Sequence, residues 1–165
     1  MASGAPAVRP ARGDDAALLA RMLHDFNTEF SEPTPGTEVL SRRVLALIEN
    51  GAMTYLLGGE GPDGFAQVSF RPSIWADEPV GYLEELYVVP ERRGEGIGRA
   101  IMNAVLELAR ERGAAGMEVV TGEDDTAARS LYESVGFANE IEGEEKARAL
   151  FYELNFLRLR SPRGG

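Results

Sequence analysis

The sequence predicts an α+β domain in which a mixed sheet is covered by helices. Two short apolar runs, AMTYLL at 52–57 and FAQVSF at 65–70, flank the turn-rich segment GGEGPDG and indicate an antiparallel hairpin. A third β-rich run, VGYLEELYVV at 80–89, precedes a long amphipathic helix and then MEVVT at 117–121, the order of a parallel strand–helix–strand crossover. An antiparallel front half and a parallel crossover together predict an α+β or three-layer domain.

Each element is predicted by its apolar spacing and by the residues that start or stop it. Helical spacing predicts four helices, with polar residues as N-caps and glycines at the left-handed stops. The expected order is β-α-α-β-β-β-α-β-α-β-β. The elements are a strand at 7–10, a helix from Asp14 or Asp15 to before Pro33, a helix from Thr37 to Asn50-Gly51, strands at 52–57, 65–70 and 80–89, a helix at 97–112, a strand at 117–121, a helix at 126–135, a strand from Phe137 and a last strand at 149–159.

Length and composition are those of one ordinary globular domain. The chain has 165 residues, of which 44% are hydrophobic and 27% charged, so we expect a single domain over 1–165 with an ordered core at about 7–159 and flexible termini. There is no cysteine, which excludes disulfides, thiolate metal sites and a cysteine nucleophile. No apolar run reaches 18 residues and MASGAPAVRP lacks the apolar core of a secretory signal, so we expect a cytoplasmic protein without membrane contact. The net charge of -10 argues against nucleic-acid binding and favours cationic small molecules.

The stretch PERRGEGIGR at 90–99 places three glycines and three arginines between a strand and a helix. Free backbone N–H groups at a helix start bind anions, and side chains would obstruct that contact. Two nucleotide-binding motifs compete with this interpretation. A Walker loop requires Gly-Lys followed by Ser or Thr, whereas this chain has Gly98-Arg99-Ala100, and the dinucleotide fingerprint lacks its third glycine because Arg99 occupies that position. The stretch predicts a phosphate-binding loop, with the dinucleotide motif as a minor alternative.

Three stretches share residues and spacing with a known family. Arg93-Gly-Glu-Gly96-Ile-Gly98 matches a pyrophosphate loop written Arg/Gln-x-x-Gly-x-Gly/Ala, and Leu86-Tyr-Val88-Val-Pro90 matches the strand before it. Asp125-Thr-Ala-Ala128-Arg-Ser-Leu-Tyr132-Glu-Ser-Val-Gly136-Phe137 matches a helix written Asn-x-x-Ala-x-x-x-Tyr-x-x-x-Gly-Phe. In this order they resemble the GNAT superfamily of acyl-coenzyme A-dependent N-acyltransferases. The resemblance extends to VRPARGDDA and FYEL and is weakest between residues 30 and 60; Asp125 departs from the family's asparagine.

The resemblance implies a fold, a cosubstrate and a set of binding residues. The fold is a mixed, mostly antiparallel central sheet with helices on both faces. The cosubstrate is acetyl-CoA, no metal is implied, and a homodimer is an option because dimers are frequent in the family. The residues expected to bind acetyl-CoA are Leu86, Tyr87, Val88, Arg93, Gly94, Glu95, Gly96, Ile97, Gly98, Arg99, Asp125 and Tyr132.

The resemblance also assigns catalytic roles. Amide formation needs a neutral amine, so a base or water relay is useful, and acidic residues of the family at this strand position point to Glu84, with Glu85 in reserve. We expect the two side chains to point to opposite faces of the strand, because side chains alternate. Tyr132 matches the tyrosine that protonates the departing thiolate, and the backbone N–H of Val88 would polarise the thioester carbonyl. The alternative to these catalytic roles is that the two glutamates are solvated carboxylates and that Tyr132 only packs against its neighbours.

The acceptor and the activity itself stay open at this level. Trp75 either walls an acceptor pocket or packs half-buried, and Asp77, Glu78 and Glu123, with the two strand glutamates, would suit an amine, a polyamine or an aminoglycoside. His24, the single histidine, is expected to be a lone ligand or a satisfied surface group rather than a catalytic residue. We predict an N-acetyltransferase acting on a small primary amine by direct transfer. The alternatives are an acetyl-CoA-binding regulator or inactive homologue, and a protein or peptide N-acetyltransferase.

Overall fold

The computed structural model describes residues 4–141, 147–154 and 156. These residues form two compact units, one with the described residues up to Val119 and the other with those from Val120 onward. The first unit contains strands β1 (Val8–Pro10), β2 (Thr54–Gly58), β3 (Gly64–Arg71), β4 (Val80–Val88) and β5 (Gly116–Val119), with helices α1 (Ala16–Glu29), α2 (Thr37–Glu49) and α3 (Ile97–Glu111). The second contains helix α4 (Thr126–Ser134) and strands β6 (Glu140–Ile141) and β7 (Ala147–Arg148).

The first unit is built on one five-stranded sheet in the order β1-β2-β3-β4-β5. Neighbouring strands are antiparallel from β1 to β4, and β5 is parallel to β4. The predicted hairpin is confirmed as β2 and β3, and the predicted crossover is confirmed as β4, α3 and β5. The mixed, mostly antiparallel sheet is therefore the one that the sequence predicted.

Helices cover both faces of this sheet. On one face, side chains of α1 and α2 such as Leu19 and Val44 pack against the buried residues Tyr55, Phe65 and Tyr87 of three successive strands. On the other face α3 lies close to the backbone of the hairpin. A Cβ added to Gly64 would lie 2.6 Å from the carbonyl oxygen of Tyr87 and 3.1 Å from Ile101 of α3, so only glycine fits there.

Helix α1 begins with a short 3-10 turn at Gly13–Asp15. We predicted that Asp14 or Asp15 caps the helix, and Asp15 does occupy the N-cap position but makes no side-chain cap hydrogen bond. Its carboxylate instead accepts two hydrogen bonds of 2.8 Å from Arg9 and one of 2.8 Å from the N–H of Arg12. The Arg9 guanidinium, followed by the Arg12 N–H, lowers the pKa of Asp15 to about 2.

The second unit departs from the predicted strands. The strand predicted from Phe137 begins only at Glu140, as β6, which pairs antiparallel with β7; residues 142–146 between them lie outside the described residues. The strand predicted at 149–159 is absent over 149–154, because the ladder ends at the hydrogen bond from the Ala149 N–H to the Asn139 carbonyl. Its apolar side chains, such as Phe151 and Leu154, are exposed. Residues 155 and 157–159 of that prediction lie outside the described residues.

None of the helices within the described residues combines the length and the apolar character needed to cross a bilayer.

Candidate active site

A β-bulge interrupts the pairing of β3 with β4. Gln67 lies opposite Glu85, and the next residue, Val68, lies opposite Leu83, so Glu84 has no residue opposite it. An extra residue of this kind bends the strand and breaks the alternation of side chains between the two faces. The bulge therefore decides where the acidic side chains of β4 lie.

Both glutamates of β4 lie on the face that α1 and α2 cover. Glu85 is opposite Gln67, which shares its face with the core residue Phe65 two positions earlier. Glu84 accepts a hydrogen bond of 2.5 Å from the hydroxyl of Ser69, which lies on the same face two positions after Gln67. The prediction that Glu84 and Glu85 point to opposite faces is wrong, because alternation holds only in a regular strand.

The two glutamates differ in how their surroundings affect proton binding. Burial, followed by the negative charge of Glu84, raises the pKa of Glu85 from its ordinary value of 4.5 to about 7. Burial, followed by the charges of Glu84 and Glu85, raises the pKa of Tyr55 on β2 to about 12. At neutral pH the Tyr55 phenol is therefore protonated, whereas Glu85 titrates in the range that suits a general base.

After the bulge, the edge of β4 that faces away from β3 is not paired with another strand of the described sheet. The N–H of Val89 donates to the carbonyl of Asp63 at 2.9 Å, so in the antiparallel ladder the N–H and C=O of Val88 turn away from β3. On that side β5 pairs with β4 only as far as Leu83, opposite Val119. Within the described part of the first unit no strand pairs with the N–H of Val88, which leaves this donor available to a ligand.

The glycine-rich loop after β4 leads into α3 with its backbone donors exposed. Gly94 and Gly96 adopt positive φ angles of 82° and 83°, and a Cβ added to either would meet nothing within 4 Å. Gly96 is the N-cap of α3. Among the described residues, no acceptor bonds to the N–H groups of Gly94, Gly96 or Gly98. These donors and the positive end of the helix dipole fit a pyrophosphate group.

Two arginines of this loop, Arg92 and Arg93, are paired with carboxylates. Arg93 donates two hydrogen bonds of 2.7 Å to Glu29 at the end of α1, and its Nε donates to the carbonyl of Val88 at 2.9 Å. Arg92 forms ion pairs with Asp63 and Glu95. Nearby carboxylates therefore balance the charges of Arg92 and Arg93.

The second unit holds the two predicted residues of α4. Asp125 is the N-cap, and its carboxylate accepts a hydrogen bond of 3.0 Å from the N–H of Ala128, so an aspartate caps this helix where the family has asparagine. Tyr132 is buried in the last turn of α4, where its ring centroid lies 5.8 Å from that of Phe137. Its assignment as general acid stays a prediction.

The remaining candidates fall into three groups. Trp75 is 93% exposed, so the half-buried packing alternative is wrong for it. Asp77 and Glu78 are exposed in the same β3–β4 loop, while Glu123 pairs with Arg148 at 3.2 Å in the second unit. The ring nitrogen Nδ1 of His24 lies 3.2 Å from the hydroxyl oxygen of Thr34, which fits the satisfied group that we expected.

Three residues at the site were not predicted from the sequence. Ser69 and Tyr55, on neighbouring strands of the sheet, lie near the two glutamates. Glu29 forms an ion pair with Arg93, which is 64 positions away in the chain. No local motif marks any of them. Only the register of the sheet and the packing of α1 bring these side chains to the site.

A mixed sheet that opens beside a glycine loop with exposed backbone donors, with a titrating carboxylate on the same strand, has the features of an acyltransferase that uses a coenzyme A thioester. Comparison with known proteins agrees with this class. The sequence model of the Acetyltransferase (GNAT) family matches residues 19–137, so the chain belongs to the GNAT acetyltransferase family. Members of this family use acetyl-CoA as cosubstrate.

Individual relatives are similar over most of the chain. The aminoglycoside N(6')-acetyltransferase type 1 of Stenotrophomonas maltophilia is 30% identical over 93% of this chain and 96% of its own length. The thialysine N-epsilon-acetyltransferase of Caenorhabditis elegans is 27% identical over 79% of this chain and 82% of its own. A crystal structure from Arthrobacter sp. FB24, described as an acetyltransferase, has 44% identity and a TM-score of 0.82 and covers 93% of this chain and 99% of that one.

Proposed function

We propose that this protein transfers the acetyl group of acetyl-CoA to a primary amine of a small cationic acceptor, by direct transfer in a ternary complex. The observation that carries the proposal is the pair of glutamates on one face of the bulged strand β4. Glu85 has a pKa of about 7, and Glu84 adds negative charge beside it. Such a pair attracts a cation and can remove a proton from it.

Glu85 is the better candidate for the base, although the sequence pointed first to Glu84. An alkylammonium has a pKa of about 10, so producing the neutral amine at pH 7 costs roughly 4 kcal/mol. A carboxylate with a pKa of about 7 accepts that proton, directly or through a water, more readily than an ordinary glutamate. Glu84 keeps the role of a neighbouring charge.

The glycine loop supports the binding of acetyl-CoA, which when bound supplies an activated acetyl thioester. The N–H groups of Gly94, Gly96 and Gly98 would hold the pyrophosphate, since the described residues offer them no other acceptor. The side chain of Arg93 would position this loop through Glu29 rather than contact the phosphates. The N–H of Val88 would donate to the thioester carbonyl oxygen.

In the proposed reaction the acceptor nitrogen forms a bond to the acetyl carbon as the carbon–sulfur bond breaks. Glu85 takes the proton of the amine. Tyr132 gives a proton to the departing thiolate, a role that rests on its match to the family helix. A phenol with a pKa of about 10 lies only roughly 2 kcal/mol above a thiol of about 8.5, so this proton transfer is feasible.

The acceptor class follows from charge and from the relatives. The chain carries a net charge of -10, and Glu84 and Glu85 add a local negative field at the site. Two of the similar proteins are named for acetylating nitrogen atoms of an aminoglycoside and of thialysine. We propose that the acceptor is an aminoglycoside, a polyamine or a lysine-like diamine. A cytoplasmic location and a homodimer also belong to this proposal.

Release of free thiol from acetyl-CoA, measured with a panel of amines, aminoglycosides and peptides and compared as kcat/KM, tests the proposal. We expect turnover with a polycationic small amine. Activity restricted to peptides would favour a peptide N-acetyltransferase, and binding of coenzyme A without thiol release for any acceptor would favour a regulator or inactive homologue. A best acceptor that lacks an amine would overturn the assignment.

The substitution Tyr132→Phe tests the acid. We expect lower kcat with unchanged affinity for coenzyme A, since only the phenolic hydroxyl group is removed and the ring stays in place. Tyr152→Phe is the matched control, because Tyr152 is 84% exposed in the same unit. Equal kcat in the two variants would show that Tyr132 only packs.

A further inference from the structure

Ser69 contacts the bulge from the neighbouring strand. It lies opposite Tyr82 in the register of β3 and β4, and its hydroxyl donates to Oε1 of Glu84 at 2.5 Å. Both side chains are half-buried. Because Glu84 is the residue that the bulge leaves without a partner opposite it, the backbone ladder does not orient it. Within the described chain, the Ser69 hydroxyl is the hydrogen-bond donor to this carboxylate.

Few of the described charged groups other than Glu84 lie close enough to change the pKa of Glu85. The ionisable groups near Glu85 are Glu84 and Tyr82 on the same strand and Tyr55 on β2. Arg71 of β3 and Glu118 of β5, which pair with each other, act on Tyr82 but are not among the causes that shift Glu85.

Helix α1 brings two carboxylates to this face, Asp25 and Glu29. They act on Tyr87 but are not among the causes that shift Glu85. The side chains that α1 and α2 contribute to the buried cluster are apolar, among them Leu19, Met22 and Val44. Glu84 is therefore the single charge that acts on Glu85 among the described groups. Anything that moves the Glu84 carboxylate changes the field at Glu85 directly.

We propose, building on the function proposed above, that Ser69 is a positioning residue: its hydroxyl holds the Glu84 carboxylate beside Glu85, so that Glu84 is the fixed charge that tunes the base and Glu85 is the base itself. A free Glu84 side chain at the surface of the bulge would turn toward water, where solvent screens its charge. The hydrogen bond keeps the charge at short range, where its effect on the neighbouring carboxyl is largest.

A double-substitution cycle followed by NMR tests this inference without cosubstrate or acceptor. The protein is labelled with ¹³C at the glutamate carboxyls, and the Glu85 signal is assigned by its loss in Glu85→Gln. We expect Glu84→Gln to lower the Glu85 titration midpoint by roughly one pH unit, and Ser69→Ala to lower it by roughly half as much, because a like charge is removed or moved away. In the Glu84→Gln background, Ser69→Ala should cause no further shift.

Two control variants separate the hydroxyl from general effects on folding. Ser69→Thr keeps a hydroxyl at the position and should preserve most of the Glu85 midpoint. Ser41→Ala removes a hydroxyl from α2, away from the bulge, and should leave the midpoint unchanged. A midpoint that is unchanged in Ser69→Ala, or that shifts equally when Glu84 is already Gln, would overturn the inference.

Kinetics connect the inference to the reaction. In an active enzyme, the acidic limb of the pH profile of kcat/KM should move to lower pH in Ser69→Ala by the same amount as the NMR midpoint. A purely structural role for Ser69 would lower activity at all pH values and leave the limb in place, which contradicts the proposal. An NMR cycle that behaves as expected in a protein without any transferase activity would refute the proposed function and leave the Ser69–Glu84–Glu85 linkage standing.

Discussion

Replacing Glu85 with glutamine should abolish most of the activity and at the same time stabilise the protein at alkaline pH. In the folded protein, burial and the charge of Glu84 raise the pKa of Glu85 to about 7, against an ordinary value of 4.5. The folded protein therefore holds this proton more tightly than the unfolded chain. Between pH 4.5 and 7 unfolding releases the proton, so the free energy of unfolding falls as the pH rises through this window.

The size of the effect follows from the difference between the two pKa values. That difference corresponds to roughly 3 kcal/mol, and the water that still reaches the half-buried side chain reduces it to about 2–3 kcal/mol. Glutamine has a similar shape and carries no charge, so Glu85→Gln removes this cost above pH 7. Loss of a general base should lower kcat by about 10²–10⁴-fold.

Urea unfolding followed by far-UV circular dichroism at pH 4.5, 6 and 8 measures the stability difference. Tryptophan fluorescence is unsuitable, since the single tryptophan, Trp75, is already 93% exposed in the folded protein. The advantage of Glu85→Gln over the unsubstituted protein should grow from near zero at pH 4.5 to its full size at pH 8. Glu49→Gln, at the exposed end of α2, is the matched control and should show no such growth.

Parallel pH profiles of stability for Glu85→Gln and the unsubstituted protein would refute this reasoning. They would mean that Glu85 is ionised in the folded state at the same pH as in the unfolded chain, and that its surroundings do not favour the protonated form. An active Glu85→Gln variant with an unchanged acidic limb would likewise exclude Glu85 as the base and return that role to Glu84.

Three further outcomes are expected. Gly96→Ala should weaken coenzyme A binding, measured by calorimetry, and should lower the free energy of unfolding by about 1 kcal/mol because Gly96 has a positive φ. Gly113→Ala is the control: Gly113 also has a positive φ and open space around it, so this variant should lose stability but keep its binding. Asp125→Ala should destabilise the protein by about 1 kcal/mol in urea unfolding through loss of the α4 cap, and Asp125→Asn should restore most of it. Glu29→Gln should raise the KM for acetyl-CoA with little change in kcat, because Arg93 loses its charged partner; a lower KM would mean that Glu29 competes with the phosphates for Arg93.

The elements that local patterns predict are the ones that the structure confirms best. The hairpin β2–β3 follows from two short apolar runs around a glycine-rich turn, and the helix α3 follows from its 3.6-residue apolar period. The glycine loop was predictable because a positive φ requires glycine, as at Gly94 and Gly96. The strand predicted at 149–159 shows the limit of such patterns, since a β-rich composition does not by itself provide a neighbouring strand to pair with.

The order of residues along the chain is enough to predict the fold family, the anion-binding loop and the presence of acidic groups on the strand before it, because these depend on local spacing and on backbone conformation. The roles of individual charges depend on contacts between distant segments. One extra residue in the register of β4 brings Glu84 and Glu85 to the same face. The position of α1 beside the loop allows Arg93 to form an ion pair with Glu29. The physical reason is that side-chain direction and ion pairing follow from strand register and helix packing, which no local spacing encodes.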